Sequence, residues 1–356
     1  MKLHVFNPEH DLALAFGGRF FTAPHAGRQL RSDLSFLPSI WAEDGDAVLV
    51  DDVDNALYQL RLSRSNAADV MFVTRDELAK IAQEDLQILP WGWDAALKHQ
   101  FEKAGIAEEL LPSEEQLSKI RFLSSRKWAA TRLGNTGVYC RSIEDVRRLM
   151  ADGKCHVLKA PWSSSGRGVR YVEELTAPLA AWTQRVIDTQ QGIMVEPYYN
   201  KVRDFGMEFE ALPDGKVIYA GLSIFNTVNG AYQGNVLASE KDKEEMLCKH
   251  VGVEVLRAAC EKIIKGMSGV LRNIYVGPFG VDMMIYVNDD GQYAVLPCVE
   301  MNLRRTMGHV AIALTDKINP DGTAPHQLMR IEYDGGHYHF RRLKTNDNAL
   351  NTSVIY

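Results

Sequence analysis

The sequence has no apolar run approaching the roughly 18 residues that cross a bilayer, no CxxC pair, no GxxxxGK[ST] loop and no surplus of positive charge. Each absence removes a class of function. Lys and Arg total 40 against 46 Asp and Glu, a formal net charge of −6, so the chain carries no general footprint for a nucleic-acid backbone. Five scattered cysteines, Cys140, Cys155, Cys248, Cys260 and Cys298, do not make a disulfide framework, and structural thiols in a reducing, cytoplasmic compartment are expected. Asn7 and Pro8 interrupt the first residues before an apolar core can form, so no secretory signal is expected. No membrane and no nucleic-acid partner follow as expectations. What is present is 356 residues, 46% hydrophobic and 24% charged, enough for about two or three globular units.

In the first part, apolar runs at Leu3–Phe6, Ala47–Val50, Val70–Val73 and Ile88–Leu89 alternate with helical patterns. That alternation predicts an α/β unit over 1–112 with a mainly parallel sheet. Ser113 followed three residues later by Gln116 is a capping-box pattern and starts a helical connector from about Ser113 to Leu133. From His156 onward, strands joined by Gly, Asn and Asp turns, with helices near 174–189 and 252–271, predict an α+β arrangement. A C-terminal hairpin is expected at Arg330–Tyr333 and Tyr338–Leu343 around Asp334-Gly335-Gly336-His337. Trp91 and Trp93 read as core packing.

Three segments carry chemistry. In the first, the strand His156–Lys159 ends in a lysine, and Ser163, Ser164, Ser165, Gly166, Arg167 and Gly168 follow. Unhindered backbone N–H groups there can fold over phosphate oxygens while Lys159 supplies charge; a solvated loop is the plain alternative. In the second, Gly280-Val281-Asp282 and Val299-Glu300-Met301-Asn302-Leu303-Arg304 flank a turn at Asn288–Gly291. A hairpin turning near Gly291 sets Asp282 opposite Glu300, with Asn302 and Arg304 on the same face if the strand persists. Such hard oxygen donors suit Mg²⁺; an ion pair of Glu300 with Arg304 or Arg305 is the structural alternative. In the third, an apolar strand ends in Glu196-Pro197-Tyr198-Tyr199 and resumes through Asp204, a crossover that can seat a planar base or form an ordinary hairpin.

These segments, in this order over roughly 120 to 315, resemble the ATP-grasp superfamily, the fold of biotin carboxylase and D-alanine–D-alanine ligase. The resemblance implies an ATP-grasp fold of two subdomains clasping ATP, over 113–190 and 191–356, with the α/β N-terminal domain before it. It also implies that Lys127 and Lys159 touch phosphates under the Ser163–Gly168 loop. Glu196 with the Pro197, Tyr198 and Tyr199 backbone would hold adenine, and Asp204 the ribose. Asp282, Glu300 and Asn302 would ligate Mg²⁺, with Mn²⁺ as a substitute, and Arg304, with Lys159, would serve catalysis. The implied reaction is ATP-dependent activation of a carboxylate as an acyl phosphate, attacked by an amine. A small-molecule kinase and a non-catalytic nucleotide-binding protein are the alternatives. His10, Asp11, Arg28, Arg305 and His309, with Arg19 and His25, are candidates for binding the small carboxylate and amine substrates, amino-acid or peptide-like compounds among them. Homodimers are common among relatives.

Overall fold

The computed structural model describes residues 1–344 apart from 82, 83, 164, 165, 167, 229, 230, 320 and 324. Its first unit is β1 (Lys2–Val5), α1 (His10–Phe16), α2 (His25–Leu34), β2 (Ala47–Leu49), α3 (Val53–Ser63), β3 (Met71–Val73), β4 (Gln87–Pro90) and α4 (Ala95–Lys103). The four strands are parallel in the order β3-β2-β1-β4. The expected parallel unit is present, and its apolar runs fall on the strands because both faces of such a sheet are covered. Trp91 packs on Phe6 and Trp41, and Trp93 on Phe101.

The helical connector is two helices, α5 (Glu114–Leu123) and α6 (Arg126–Leu133). Ser113 and Gln116 form the capping box. The expected helical connector is interrupted at Ser124-Ser125, where the Ser125 hydroxyl accepts from Trp128 N and caps the second helix.

A four-stranded sheet follows, with α7 (Ile143–Leu149) and α8 (Ala177–Gln190) packed on it. Its strands are β5 (Val138–Cys140), β6 (His156–Lys159), β7 (Val169–Val172) and β8 (Ile193–Pro197), in the order β5-β8-β6-β7. β8 completes this sheet beyond the boundary expected at 190, because it pairs with both β5 and β6.

The largest sheet contains β9 (Asn200–Ala211), β10 (Val217–Val228), β11 (Ala231–Leu237), β12 (Gly277–Val287), β13 (Tyr293–Asn302), β14 (Gln327–Tyr333) and β15 (Tyr338–Lys344). Their order is β13-β12-β9-β10-β11-β14-β15. Between them run α9 (Glu240–Cys248), α10 (Val253–Met267) and α11 (Met307–Ile318). Alternation along β9 and β12 divides its two faces. Phe205, Met207 and Phe209 of β9 and Phe279, Val281 and Met283 of β12 point into one core with α6 and α10. The intervening residues, Asp204, Glu208 and Asp282 among them, point the other way.

The hairpin β14–β15, at the edge of this sheet, also packs against the first unit. Met329 and Phe340 share a core with Phe6 and Phe36 of the first unit and Leu314 of α11. Buried Asp33 of α2 accepts from the Tyr338 backbone N–H at 2.8 Å and meets His337 Nδ1 at 2.9 Å. No helix among the described residues is long and apolar enough to cross a membrane.

Candidate active site

The polar face of the large sheet is built by small residues beside acidic ones. Asp282 pairs with Glu300 on one side and Gly206 on the other, and Gly280 lies between Glu208 and Asn302. A side chain at Gly280 would collide with Glu208 and Thr306. Glu208, Asp282, Glu300 and Asn302 therefore share one face of three adjacent strands. The register that sets Asp282 opposite Glu300 is as expected, though the turn itself is centred one residue earlier: Val287 pairs with Tyr293, and a bulge between Asp282 and Met284 makes up the difference.

Asp282 is partly buried, and burial, then the Glu300 and Glu208 carboxylates, push its pKa up to about 8. Asn302 Nδ2 donates to Asp282 Oδ2 at 3.2 Å. No group of three His, Cys, Asp or Glu side chains poised for a metal occurs among the described residues; the donor set here is two carboxylates and an amide. Two carboxylates held this close repel each other, which suits a hard cation that takes its remaining ligands from substrate oxygens.

Glu300 is paired neither with Arg304 nor with Arg305. Its partner is Arg126, at 2.6 Å, brought in by the start of α6. Buried Arg126 also donates from Nη1 to Ala160 O at 2.6 Å and Ser163 Oγ at 2.8 Å, so one guanidinium ties β13 to the loop that leaves β6. The sequence displayed Arg126 beside Lys127, but nothing local reveals a partner 174 positions away. Lys127 lies with its ammonium 4.5 Å from the centre of the Tyr139 ring.

Lys159 closes β6, and its ammonium meets Glu196 of β8 at 2.5 Å, both side chains being nearly inaccessible. The two lie on adjacent antiparallel strands, with Lys159 opposite Met194 and Glu196 opposite Val157. Glu196 Oε1 and Arg126 Nε are buried with no hydrogen-bond partner among the described residues. Cys298 of β13 links this pair to the acidic face: its thiol is pushed up by burial and by the fields of Glu196, Asp282 and Glu300. Of the expected phosphate loop, Ser163 is buried, Gly166 has φ +71°, and Gly168 accepts from Ala160 N at 2.8 Å. Ser164, Ser165 and Arg167 lie outside the described residues.

Pro197 and Tyr198 are exposed, Tyr198 edge-on to Tyr171, while Tyr199 packs on Tyr286 and bonds Thr136 through its hydroxyl at 2.6 Å. Asp204 is held by Lys201 at 2.7 Å and Thr227 at 2.8 Å.

β13 ends at Asn302, so Arg304 lies beyond the strand. It reaches back, donating from Nη2 to Asn302 Oδ1 at 2.9 Å, and it grips Asp11 of α1 through three contacts of 2.7–3.1 Å. Burial alone would raise the Asp11 pKa; the Arg304 charge and its hydrogen bonds outweigh that and hold the carboxyl below its ordinary range. Asp11 thus joins the first unit to the cluster.

The other substrate candidates are placed elsewhere. His10 is fully buried, bonded to Asp94 at 3.2 Å. Arg28 donates to Ala23 O, Arg19 lies against Phe20, and His25 opens α2 on the surface. Arg305 stacks on Trp41 at 4.6 Å, and burial brings its pKa down to about 10. His309 is the third residue of α11, in a capping box with Thr306. Its ring lies 3.0 Å from Glu208 and 3.2 Å from the Phe209 carbonyl oxygen, so both nitrogens are engaged beneath the acidic face. Glu208 alternates with Asp204 along β9, which is the period-two signal by which the sequence displays it.

No family model matches the chain, and no curated protein matches it. Solved structures do. N5-carboxyaminoimidazole synthetase from Staphylococcus aureus, complexed with ADP, superposes with a TM-score of 0.53 at 13% identity, covering 97% of this chain and 93% of that one. A biotin carboxylase complex from Campylobacter jejuni gives 0.53 at 16% identity, over 93% and 75%. A protein assigned to the ATP-grasp superfamily from Archaeoglobus fulgidus gives 0.52 at 14% identity, over 97% and 100%. The chain has the ATP-grasp fold.

Proposed function

We propose that this protein is an ATP-dependent ligase that activates a small carboxylate as an acyl phosphate for attack by an amine, releasing ADP and phosphate. The observation that carries the reading is the convergence of Asp282, Glu300 and Asn302 with Arg126 and Arg304 on one sheet face, coupled through Arg126 to the loop after Lys159. ATP and ADP are bound by solved proteins of the same fold.

In this reading Lys159, Arg126 and Lys127 hold phosphates, with the Ser163–Gly168 loop over them. Glu196 and the 197–199 backbone meet adenine, and Asp204 meets ribose. Asp282, Glu300 and Asn302 would hold Mg²⁺, which would supply charge neutralisation to the phosphates. Arg304 stabilises the charge that develops as the γ-phosphoryl group passes to the carboxylate oxygen. The amine then attacks the acyl carbon and inorganic phosphate leaves. No covalent bond to the protein is needed, so catalysis rests on alignment and electrostatics. The unit over 1–112 binds the acceptor, the partners are small molecules, and the setting is the cytoplasm.

The test is ADP release with Mg²⁺ in wild type and Glu300→Gln, across pooled amino acids, dipeptides and small carboxylic acids. Stimulation that needs an acid together with an amine, and is lost in the variant, is expected. Stimulation by a single hydroxyl compound makes the protein a kinase instead. ADP affinity without any stimulated turnover makes it a nucleotide-binding protein.

A further inference from the structure

A second site lies in the first unit, at the carboxyl ends of its parallel strands. A cavity of about 370 Å³ opens there, floored by Val5, Phe6 and Asn7 at the end of β1, Leu49 and Asp51 at β2, with Arg75 beyond β3 and Asp94 beyond β4. In the order β3-β2-β1-β4 the chain winds outward from β1 through β2 to β3 and then returns to set β4 on the other side of β1, so the strand order reverses there, the place where open α/β sheets bind ligands. The volume falls in the range of small-molecule sites.

Charge tells what it holds. Three acids line the cavity, and each has a partner, although Glu9 Oε2 is buried with no hydrogen-bond partner among the described residues. Glu9 and Asp51 both pair with Arg31. Asp94 accepts from Ala96 N and Leu97 N, each at 2.9 Å, and bonds His10. Four more cations, Arg19, Arg28, Arg75 and Lys103, line the same cavity, and none has a carboxylate within ion-pair distance among the described residues. With Arg31, five Arg and Lys side chains line the cavity against three carboxylates, two of which also act on Arg75; a concave surface with such a surplus of positive charge concentrates counter-charged small molecules. Guanidinium forks favour the paired oxygens of phosphate and carboxylate. Phe20 and Phe21, on the segment from Gly17 to Pro24 that joins α1 to α2, supply an apolar wall.

We infer that this cavity is a binding site for a small dianion, a phosphate monoester or a dicarboxylate, whose charged ends meet Arg19, Arg28, Arg75 and Lys103. The inference rests on the reading that the unit over 1–112 binds the acceptor and adds where in that unit it sits and what charge it carries. One helix connects the two sites: Glu9 and Ala13 border the cavity, while Asp11, on the opposite side of α1, grips Arg304.

Isothermal titration calorimetry of the full chain, without nucleotide or metal, tests it. The probes are inorganic phosphate, ribose 5-phosphate and succinate, with acetate as the monoanion. At least one dianion is expected to bind, about tenfold or more tighter than acetate, with affinity falling as salt rises. Phosphate probes alone, or succinate alone, identify which source fits. Arg28→Gln combined with Arg75→Gln should weaken binding by about tenfold or more, with folding checked by thermal melting; if that protein does not fold, Lys103→Gln is read in its place. The inference is overturned if no dianion binds, if a folded variant binds like wild type, or if a folded Lys127→Gln protein loses binding while the cavity variants keep it.

Discussion

Replacing Asp282 by Asn probes the acidic face at its most crowded atom. Burial and the Glu300 and Glu208 carboxylates push the Asp282 pKa from 3.8 to about 8. A carboxyl that binds its proton more tightly folded than unfolded contributes fully below the unfolded value, and that contribution is lost as pH rises through the folded one. Metal-free protein therefore loses stability from about pH 4 to about pH 8 at this position. At about 1.4 kcal/mol per pKa unit the ceiling is ~6 kcal/mol; solvent around a partly exposed carboxyl reduces the expected gain from Asp282→Asn to about 1–3 kcal/mol at pH 8. The amide keeps the shape and removes the repulsion, so the metal-free variant should melt roughly 2–6 °C above wild type at pH 8 and close to it near about pH 4.5. Mg²⁺ with ADP should reverse the order. Wild type gains about 2.7 kcal/mol at a hundredfold excess over Kd, and the variant, short of one metal carboxylate, gains much less. Differential scanning calorimetry at both pH values, with and without Mg²⁺ and ADP, reads all four conditions. A variant no more stable than wild type at pH 8, or equally stabilised by Mg²⁺ and ADP, refutes the electrostatic account.

The Lys159–Glu196 pair is nearly inaccessible, so Lys159→Met or Glu196→Gln alone should destabilise by about 3–5 kcal/mol, whereas the double variant recovers a good part of that; denaturant unfolding of the three proteins measures the coupling. Gly308→Ala would ordinarily gain about 1 kcal/mol inside a helix. Here the new methyl collides with Glu208 and Ser223, so a loss of about 2 kcal/mol or more is expected in the same assay. Asp11→Asn leaves Arg304 without its charged partner; ADP affinity should hold within about threefold, while stimulated turnover falls about tenfold or more because the guanidinium is no longer aimed.

Much of the architecture is written in local pattern. The four apolar runs became four parallel strands, the Ser113–Gln116 capping box formed, and the C-terminal hairpin turned at Asp334–His337. Asp282 opposite Glu300 was also reached from the sequence, though it holds only because a bulge between Asp282 and Met284 offsets a turn centred one residue earlier than expected. What escaped is non-local. That Glu300 belongs to Arg126, Arg304 to Asp11 and Lys159 to Glu196 depends on how separate sheets and helices meet. His309 shows the limit from the other side: its residue type suits substrate binding, yet its place in the first turn of α11 commits it to Thr306 and Glu208.

The shared core of Phe6, Phe36, Leu314, Met329 and Phe340 has a consequence for the order in which the chain can be made. The first 103 residues contain a complete parallel sheet, yet the core it shares is completed only when Val310, Ala311 and Leu314 of α11 and then Met329 and Phe340 arrive and Tyr338 docks on Asp33. During synthesis the first unit's part of that core emerges early and waits, apolar and uncovered, for most of the translation time. Folding is thereby gated by its last described segment, so fragments ending before residue 327 should bind chaperones or aggregate, and closing so long a loop makes the final step slow.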